Sequence, residues 1–312
     1  MEIPNRAKVI IICGPTATGK TSFAVELAQY LGGEIVSADS MQVYRHMDIG
    51  TAKPTEEEQG GIPHHIIDVA DPDEDFNAAT YRRLAIDAVN DITARKRACL
   101  VVGGTGLYIK GLTEGLFDCP AAEPEVRERL QKKWDLEGPE KIFETLITID
   151  PEYAAGIHRN DRMRILRGLE IFELTGSKPS ELARVHGFSD RPFQTISLCL
   201  EMERERLYNR IDRRSEFMVE SGLLEETEGL LKKGYSPDLK SMKAIGYKHM
   251  VNHIEGKWGL KEAVGFLKRD TRRYAKRQTT WFRGQRDVSW ISSDDINPAL
   301  KRIKAFLRED LK

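Results

Sequence analysis

Hydrophobic and polar positions along the first hundred residues alternate between two periods. Lys8-Val-Ile-Ile-Ile-Cys13 is a short β-branched run, the pattern of a strand buried on both faces. After a Gly-rich turn, Phe23, Ala24, Leu27, Ala28 and Leu31 recur at helical spacing, and Gly32-Gly33 stops the helix. Glu34-Ile-Val-Ser-Ala-Asp39 reads as the next strand and His65-Ile-Ile-Asp-Val69 as a third. A helix through Tyr81, Leu84, Ala85 and Ala88 follows. An all-apolar strand, Ala98-Cys-Leu-Val-Val102, then runs into Gly103-Gly-Thr-Gly106. This alternation predicts a parallel α/β sheet. Beyond Gly115 the pattern changes. From Glu123 to Arg191, charged helical stretches punctuated by Pro124, Pro151 and Pro179 carry no buried strand. Thr195-Ile-Ser-Leu-Cys-Leu200 restores the strand pattern, and more helices follow. The expected architecture is one α/β core, residues 1–118 and 194–312, interrupted by a helical insertion over 119–193. The last thirty residues, Trp290 included, show no pattern beyond packing.

Composition narrows the function classes. A length of 312 residues predicts roughly two domains. With 48 Lys+Arg against 49 Asp+Glu, the net charge of −1 excludes a uniformly basic nucleic-acid binder; local basic faces remain open, because net charge averages over opposing patches. The apolar run Val9–Cys13 is far shorter than the roughly 18 residues of a membrane span, and it ends in Gly14-Pro15 rather than at a secretory cleavage site. The expectation is a cytoplasmic protein with no membrane partner, taken as a monomer. Cys13, Cys99, Cys119 and Cys199 lack zinc spacing and read as buried reduced thiols. His64-His65 reads as a loop or strand-end pair rather than a metal site.

Gly14-Pro-Thr-Ala-Thr-Gly-Lys20-Thr21 fits G-x-x-x-x-G-K-[ST] without mismatch, between a buried strand and an amphipathic helix. In that setting the segment is a P-loop. Its glycines let successive N–H groups turn toward phosphate oxygens, and the helix N-terminus adds partial positive charge. Lys20 neutralises the terminal phosphate and Thr21 reaches Mg²⁺ through its hydroxyl. The fold class is therefore P-loop NTPase-like, nucleotide- or ATP-binding in type, with an inserted helical domain. The acid that a hydrolase carries at the end of a neighbouring strand is missing: Leu100-Val-Val102 runs into Gly103-Gly-Thr105. N-K-x-D and D-x-x-G of a GTPase are also absent at plausible positions. Asp39 does sit at a strand end, where open α/β sheets bind ligands. It is a candidate general base or metal ligand, or else a turn or cap aspartate.

Arginines gather in three groups: Arg162, Arg164 and Arg167; Arg204, Arg206, Arg210, Arg213 and Arg214; and the stretch Lys268–Arg286. That stretch carries +7, leaving −8 for the rest of the chain. The redistribution points to a polyanion partner, to phosphate subsites, or to both.

Several motifs together resemble one family. They are the P-loop, Ser37-Ala-Asp-Ser-Met-Gln42-Val-Tyr44, Asp48-Ile-Gly-Thr-Ala-Lys-Pro54 and Val102-Gly-Gly-Thr-Gly-Leu-Tyr108. Asn160-Asp161 with Arg164 and Arg167, Ala244-Ile-Gly-Tyr247 and Lys276-Arg-Gln-Thr-Thr-Trp281 complete the set. The chain thereby resembles the tRNA dimethylallyltransferase (tRNA isopentenyltransferase) family over nearly its whole length. The resemblance implies transfer of the dimethylallyl group of dimethylallyl diphosphate to N6 of the adenosine at position 37, beside the anticodon of certain tRNAs. It implies a diphosphate cradle of Gly14, Thr16, Ala17, Thr18, Gly19, Lys20 and Thr21, with Arg210 and Arg214 as partners. Lys20, Thr21 and Asp39 would be catalytic, Asp39 as proton acceptor, and Thr21 with Asp39 the protein ligands of Mg²⁺. It also implies tRNA contacts from Asp39, Ser40, Met41, Gln42, Thr105, Arg127, Met163, Arg164, Ile165, Leu166 and Arg167, with the insertion gripping the anticodon stem. A P-loop kinase of a small metabolite, and a transferase acting on free adenine nucleotides, are the alternatives. The length of the insertion argues against the latter.

Overall fold

The computed structural model describes residues 6–120 and 123–308. The chain divides into two compact units: 1–113 with 192–312, and 114–191. The boundaries expected from the sequence were 118/119 and 193/194.

The first unit begins with β1 (Lys8–Cys13), α1 (Lys20–Leu31), β2 (Glu34–Ser37), α2 (Glu56–Gln59) and β3 (His64–His65). It continues with α3 (Ala78–Ala94), β4 (Cys99–Gly103) and α4 (Gly106–Glu114). The second unit supplies α5 (Pro124–Glu137), α6 (Pro139–Ile149), α7 (Pro151–Ala155), α8 (Arg162–Thr175) and α9 (Pro179–His186). The chain then returns to the first unit with β5 (Gln194–Glu201), α10 (Arg204–Glu220), α11 (Leu223–Lys232) and α12 (Tyr247–Ile254). It closes with α13 (Leu260–Arg283), β6 (Val288–Ser292) and α14 (Asn297–Arg308).

Six parallel strands form one sheet in the order β3-β2-β4-β1-β5-β6. β1 lies inside it, and Val9 through Ile12 are fully buried. Burying each such side chain is worth about 1.5–3 kcal/mol, which is why this β-branched run makes the central strand. Val9 and Ile11 pack on one face with Val101, Tyr81 and Phe282, whereas Ile10 and Ile12 pack on the other with Leu27, Leu100 and Ile303. Among the described residues no helix is long and apolar enough to cross a membrane.

Three expectations are corrected. The strand expected over His65–Val69 is only the two-residue edge β3. Ile66 and Asp68 take left-handed backbone angles (φ 62° and 56°), which turn the chain out of the sheet. The C-terminal segment holding Trp290, expected to contribute packing alone, is the sixth strand, paired with β5 from Ser197 to Glu201. Cys13, Cys99 and Cys199 are buried free thiols, but Cys119 is half-buried, because it lies in the segment before α5 and not on a strand.

Two glycines fix how the strand ends converge. Gly14 leaves β1 at φ 140°, where a Cβ would stand 2.8 Å from the Leu200 carbonyl oxygen. At Gly103, the last residue of β4, a Cβ would lie 2.1 Å from the Ala38 oxygen. The Ala38 N–H donates to Val102 O at 2.7 Å, and the Thr105 N–H donates to Ala38 O at 3.1 Å. The segments after β2 and β4 are thus laced together at the carboxyl edge of the sheet.

In the second unit, Ile165, Leu166 and Leu169 of α8 pack with Leu130 of α5 and with Ile142 and Leu146 of α6. Proline starts α5, α6, α7 and α9, where its missing N–H costs nothing.

Candidate active site

A cavity of about 500 Å³ opens at the carboxyl edge of the sheet in the first unit. One wall is the loop from β1 to α1: Thr16, Ala17, Gly19, Lys20, Thr21 and Ser22. Ala17 (φ 67°) and Gly19 (φ 88°) take left-handed angles there. Gly19 begins α1 without any side-chain cap, so N–H groups of the first turn lack a side-chain partner at the cavity, as an anion site requires. Arg210, Arg213 and Arg214 of α10 form a second wall. Asp39 and Gln42 stand at the end of β2, with Ile35, Val102, Ala52 and Pro54 giving an apolar stretch.

The cations here are held without carboxylates. Lys20 Nζ donates to Pro15 O at 2.7 Å. Burial lowers its pKa from 10.5 to about 8, Arg214 acting in the same direction and Asp39 opposing. Arg214 is also buried, which lowers its pKa; Asp39 opposes and Arg210 adds to the effect. Its Nη2 donates to Thr16 Oγ1 at 2.6 Å. Lys20 and Arg214 form no ion pair among the described residues, although Asp39 and Glu58 share the cavity wall; buried cations left unpaired in this way suit an anion.

Asp39 is placed as a turn aspartate, one of the readings that its position allowed. Its Oδ1 accepts from Met41 N–H at 2.8 Å and Gln42 N–H at 3.3 Å, as a turn aspartate does. No described residue donates to Oδ2. Tyr274 of α13 lies close by, its pKa raised by burial and then by the charge of Asp39, with its hydroxyl against Thr105. Tyr274 thus stays neutral.

Of the residues assigned to the diphosphate, Gly14 and Thr18 are not on the cavity wall. The Thr18 hydroxyl is buried and donates to Pro15 O at 2.9 Å, which shapes the loop from inside. Ser40, Met41 and Thr105 are likewise off the wall; Ser40 N–H donates to Thr105 Oγ1 at 3.0 Å. Two residues went unassigned in the sequence. Arg213 belongs to the recognised arginine group. Gln278 belongs to the Lys276–Trp281 motif, and its buried amide staples the loop: Oε1 accepts from Thr16 N–H at 2.8 Å, and Nε2 donates to Gly104 O at 2.9 Å.

In the second unit, α8 begins at Asp161, whose carboxylate accepts from Arg164 N–H at 3.2 Å. Met163 is 71% exposed and the Arg164 side chain 58%, whereas Ile165 and Leu166 point into the unit's own core. Arg127 and Arg167 flank the buried carboxylate of Glu170 at 3.6 and 2.8 Å. Arg167 also donates to Cys119 Sγ at 3.1 Å and Pro120 O at 2.9 Å.

Among the described residues no group of three or more His, Cys, Asp or Glu side chains could hold a metal. The Thr21 hydroxyl fits a divalent cation that takes most of its ligands from phosphate oxygens and water, and Asp39 Oδ2 is open to such a cation or to a proton, one at a time. Both line the cavity, and neither hydrogen-bonds to a described residue.

Comparison with known proteins agrees with this geometry. Residues 42–285 match the family model described as IPP transferase. A tRNA dimethylallyltransferase of Desulfosudis oleivorans is 47% identical, over 98% of each chain. A crystal structure of the tRNA isopentenylpyrophosphate transferase of Bacillus halodurans superposes with a TM-score of 0.71 at 42% identity, covering 98% of this chain and 97% of that one. A eukaryotic dimethylallyltransferase captured acting on tRNA gives 0.80 at 31% identity, over 98% of this chain and 79% of its own. With its family model matching residues 42–285 and relatives matching over nearly its full length, the chain belongs to the IPP transferase family, that of the tRNA dimethylallyltransferases.

Proposed function

We propose that this protein prenylates tRNA: it transfers the dimethylallyl group of dimethylallyl diphosphate to N6 of adenosine 37, beside the anticodon, and releases diphosphate. The observation that carries the reading is the composition of one cavity. Phosphate-binding amides and three arginines line one part, an apolar stretch another, and a carboxylate with an oxygen to spare faces them. The strand end where a hydrolase holds its acid is glycine.

In the reaction the C1–O bond of the allylic donor breaks and its electron pair leaves with the diphosphate. Amides of the loop, Lys20, Arg210 and Arg214 stabilise that growing negative charge. Adenine N6 attacks C1, and Asp39 Oδ2 accepts the N6 proton, which offsets the weak nucleophilicity of a delocalised amine. A divalent metal, Mg²⁺ in this reading, would be held by the Thr21 hydroxyl and would supply further charge neutralisation on the diphosphate, leaving Asp39 Oδ2 free for the proton. The base must leave its stack to reach the cavity. Met163 and Arg164 of the helical unit contact the anticodon stem. Ile165, Leu166, Arg127 and Arg167 hold the helix that presents them. One chain supplies every residue used, so a monomer suffices.

The test is a transfer assay with Mg²⁺, labelled dimethylallyl diphosphate and unmodified tRNA carrying adenosine 37, with AMP and an ATP-driven kinase assay in parallel. Label is expected in tRNA alone. Folded protein that labels AMP instead, or that labels nothing and phosphorylates a small acceptor, defeats the reading.

A further inference from the structure

Residues Asp48–Pro54 lie outside every helix and strand, yet Thr51, Ala52 and Pro54 form part of the cavity wall. Their shape must therefore be fixed by other bonds. Three successive amides of the segment converge on one side chain. Glu226 of α11 accepts from Asp48 N–H (3.0 Å) and Ile49 N–H (2.9 Å) on Oε2, and from Gly50 N–H (3.1 Å) on Oε1. The Tyr247 hydroxyl donates to the same Oε1 at 2.6 Å. Tyr247, fully buried at the start of α12, lays its ring where a Cβ on Gly50 would be, 2.4 Å from the nearest ring carbon. Only glycine lets that ring close over the segment. A carboxylate seated in three consecutive N–H groups is a rigid, charge-assisted clamp.

The link continues inward. Gln42 Nε2 donates to Ala52 O at 3.1 Å and Thr51 O at 3.5 Å, and Gln42 N–H donates to Asp39 Oδ1. We propose that Glu226 is a positioning residue of the donor site: its clamp on residues 48–50 sets the 51–54 wall and, through Gln42, the turn that aims Asp39. This rests on reading the cavity as the dimethylallyl diphosphate site.

The test compares wild type, Glu226→Gln and Tyr247→Phe by calorimetric titration of dimethylallyl diphosphate with Mg²⁺. The tRNA affinity of each protein and amide exchange of residues 47–54 are measured alongside. Glu226→Gln keeps the shape but turns an NH₂ group toward donors. It is expected to weaken donor binding about tenfold, to leave tRNA affinity unchanged and to deprotect the 48–50 amides. Tyr247→Phe, which keeps the carboxylate, should weaken it about threefold. Any loss above about threefold in Glu226→Gln that is confined to the donor supports the proposal. A folded Glu226→Gln with a smaller loss overturns it, as does an equal fall in donor and tRNA affinity. Should that variant fail to fold, unchanged donor affinity in Tyr247→Phe overturns it instead. Wild type that binds no dimethylallyl diphosphate sinks the functional reading and this role together. Wild-type binding with unaltered variants sinks only the role of Glu226.

Discussion

Arg214 beside the P-loop and Arg167 in the helical unit carry the same guanidinium, and both belong to sequence groups that suggest an anion partner. Their neighbours differ. Arg214 is buried with a hydroxyl as its bonded partner and lysine and arginine charges nearby. Arg167 is bonded to Glu170, with Cys119 and Pro120 completing its donors. Lys20 and Arg214 thus form no ion pair, the Asp39 charge lying nearby without a bond to either, whereas the helical unit pairs most of its own arginines: Arg129 meets Glu173, Arg162 meets Asp135, and Arg127 meets Glu170. A buried arginine with no carboxylate bonded to it is suited to an anion, whereas one bonded to a buried carboxylate, as Arg167 is, holds the fold.

The contrast can be broken at several points. Asp39→Ala should have the largest effect, lowering kcat by about 10³-fold while donor affinity changes little; single-turnover transfer with a parallel donor titration reads both. Wild-type turnover would remove Asp39 as proton acceptor. Next, Arg214→Gln should weaken donor binding about 10²-fold with tRNA affinity intact, the signature of a lost charge-assisted contact in a buried site. In the helical unit, Glu170→Gln should cost stability, about 2 kcal/mol by urea denaturation, because it strands two guanidinium groups, one of them half exposed. If it weakened tRNA binding with no loss of stability, pairing would not have decided the role of Arg167.

The pH dependence comes from Lys20. In the protein without anion it loses its proton near pH 8 instead of 10.5, and the diphosphate binds the protonated form. Donor affinity should therefore be flat between about pH 7, above the last ionisation of the diphosphate, and pH 8, and fall by up to about tenfold per unit above it, with proton uptake on binding seen in buffers of different ionisation enthalpy. Flat affinity to pH 10 would contradict this. The smallest effect belongs to Arg164→Ala, an exposed side chain: tRNA affinity should fall a few-fold, about equally across sequences, and the salt dependence by about one unit of slope.

The loop from β1 to α1 was legible because it is local. One glycine-spaced segment between a strand and a helix specifies a chain of amides. Asp39 was legible as a polar residue at the end of an apolar strand. Gln278 and Thr16 meet across 262 positions, and Glu226 reaches residues 48–50 from α11. Nothing in either stretch alone shows the encounter. β6 was missed because only Ile291 of its five residues is buried, so an edge strand there lacks both the apolar run and the alternation that periodicity detects. The helical unit shows the opposite failure. The spacing of Ile165, Leu166 and Leu169 is that of a core-facing helix, and all three are buried, whereas the family likeness treats the whole stretch from Met163 to Arg167 alike.

The contact between Gly103 and the Ala38 carbonyl has a consequence for what this sheet can become. The position where a phosphate-hydrolysing relative would station its water-activating acid tolerates no side chain at all, since even a methyl group would lie inside the neighbouring backbone. Acquiring hydrolytic chemistry there would require prising two strand ends apart, not exchanging one residue. A diphosphate bound in this cavity would meet no such acid, for want of the residue and for want of the room.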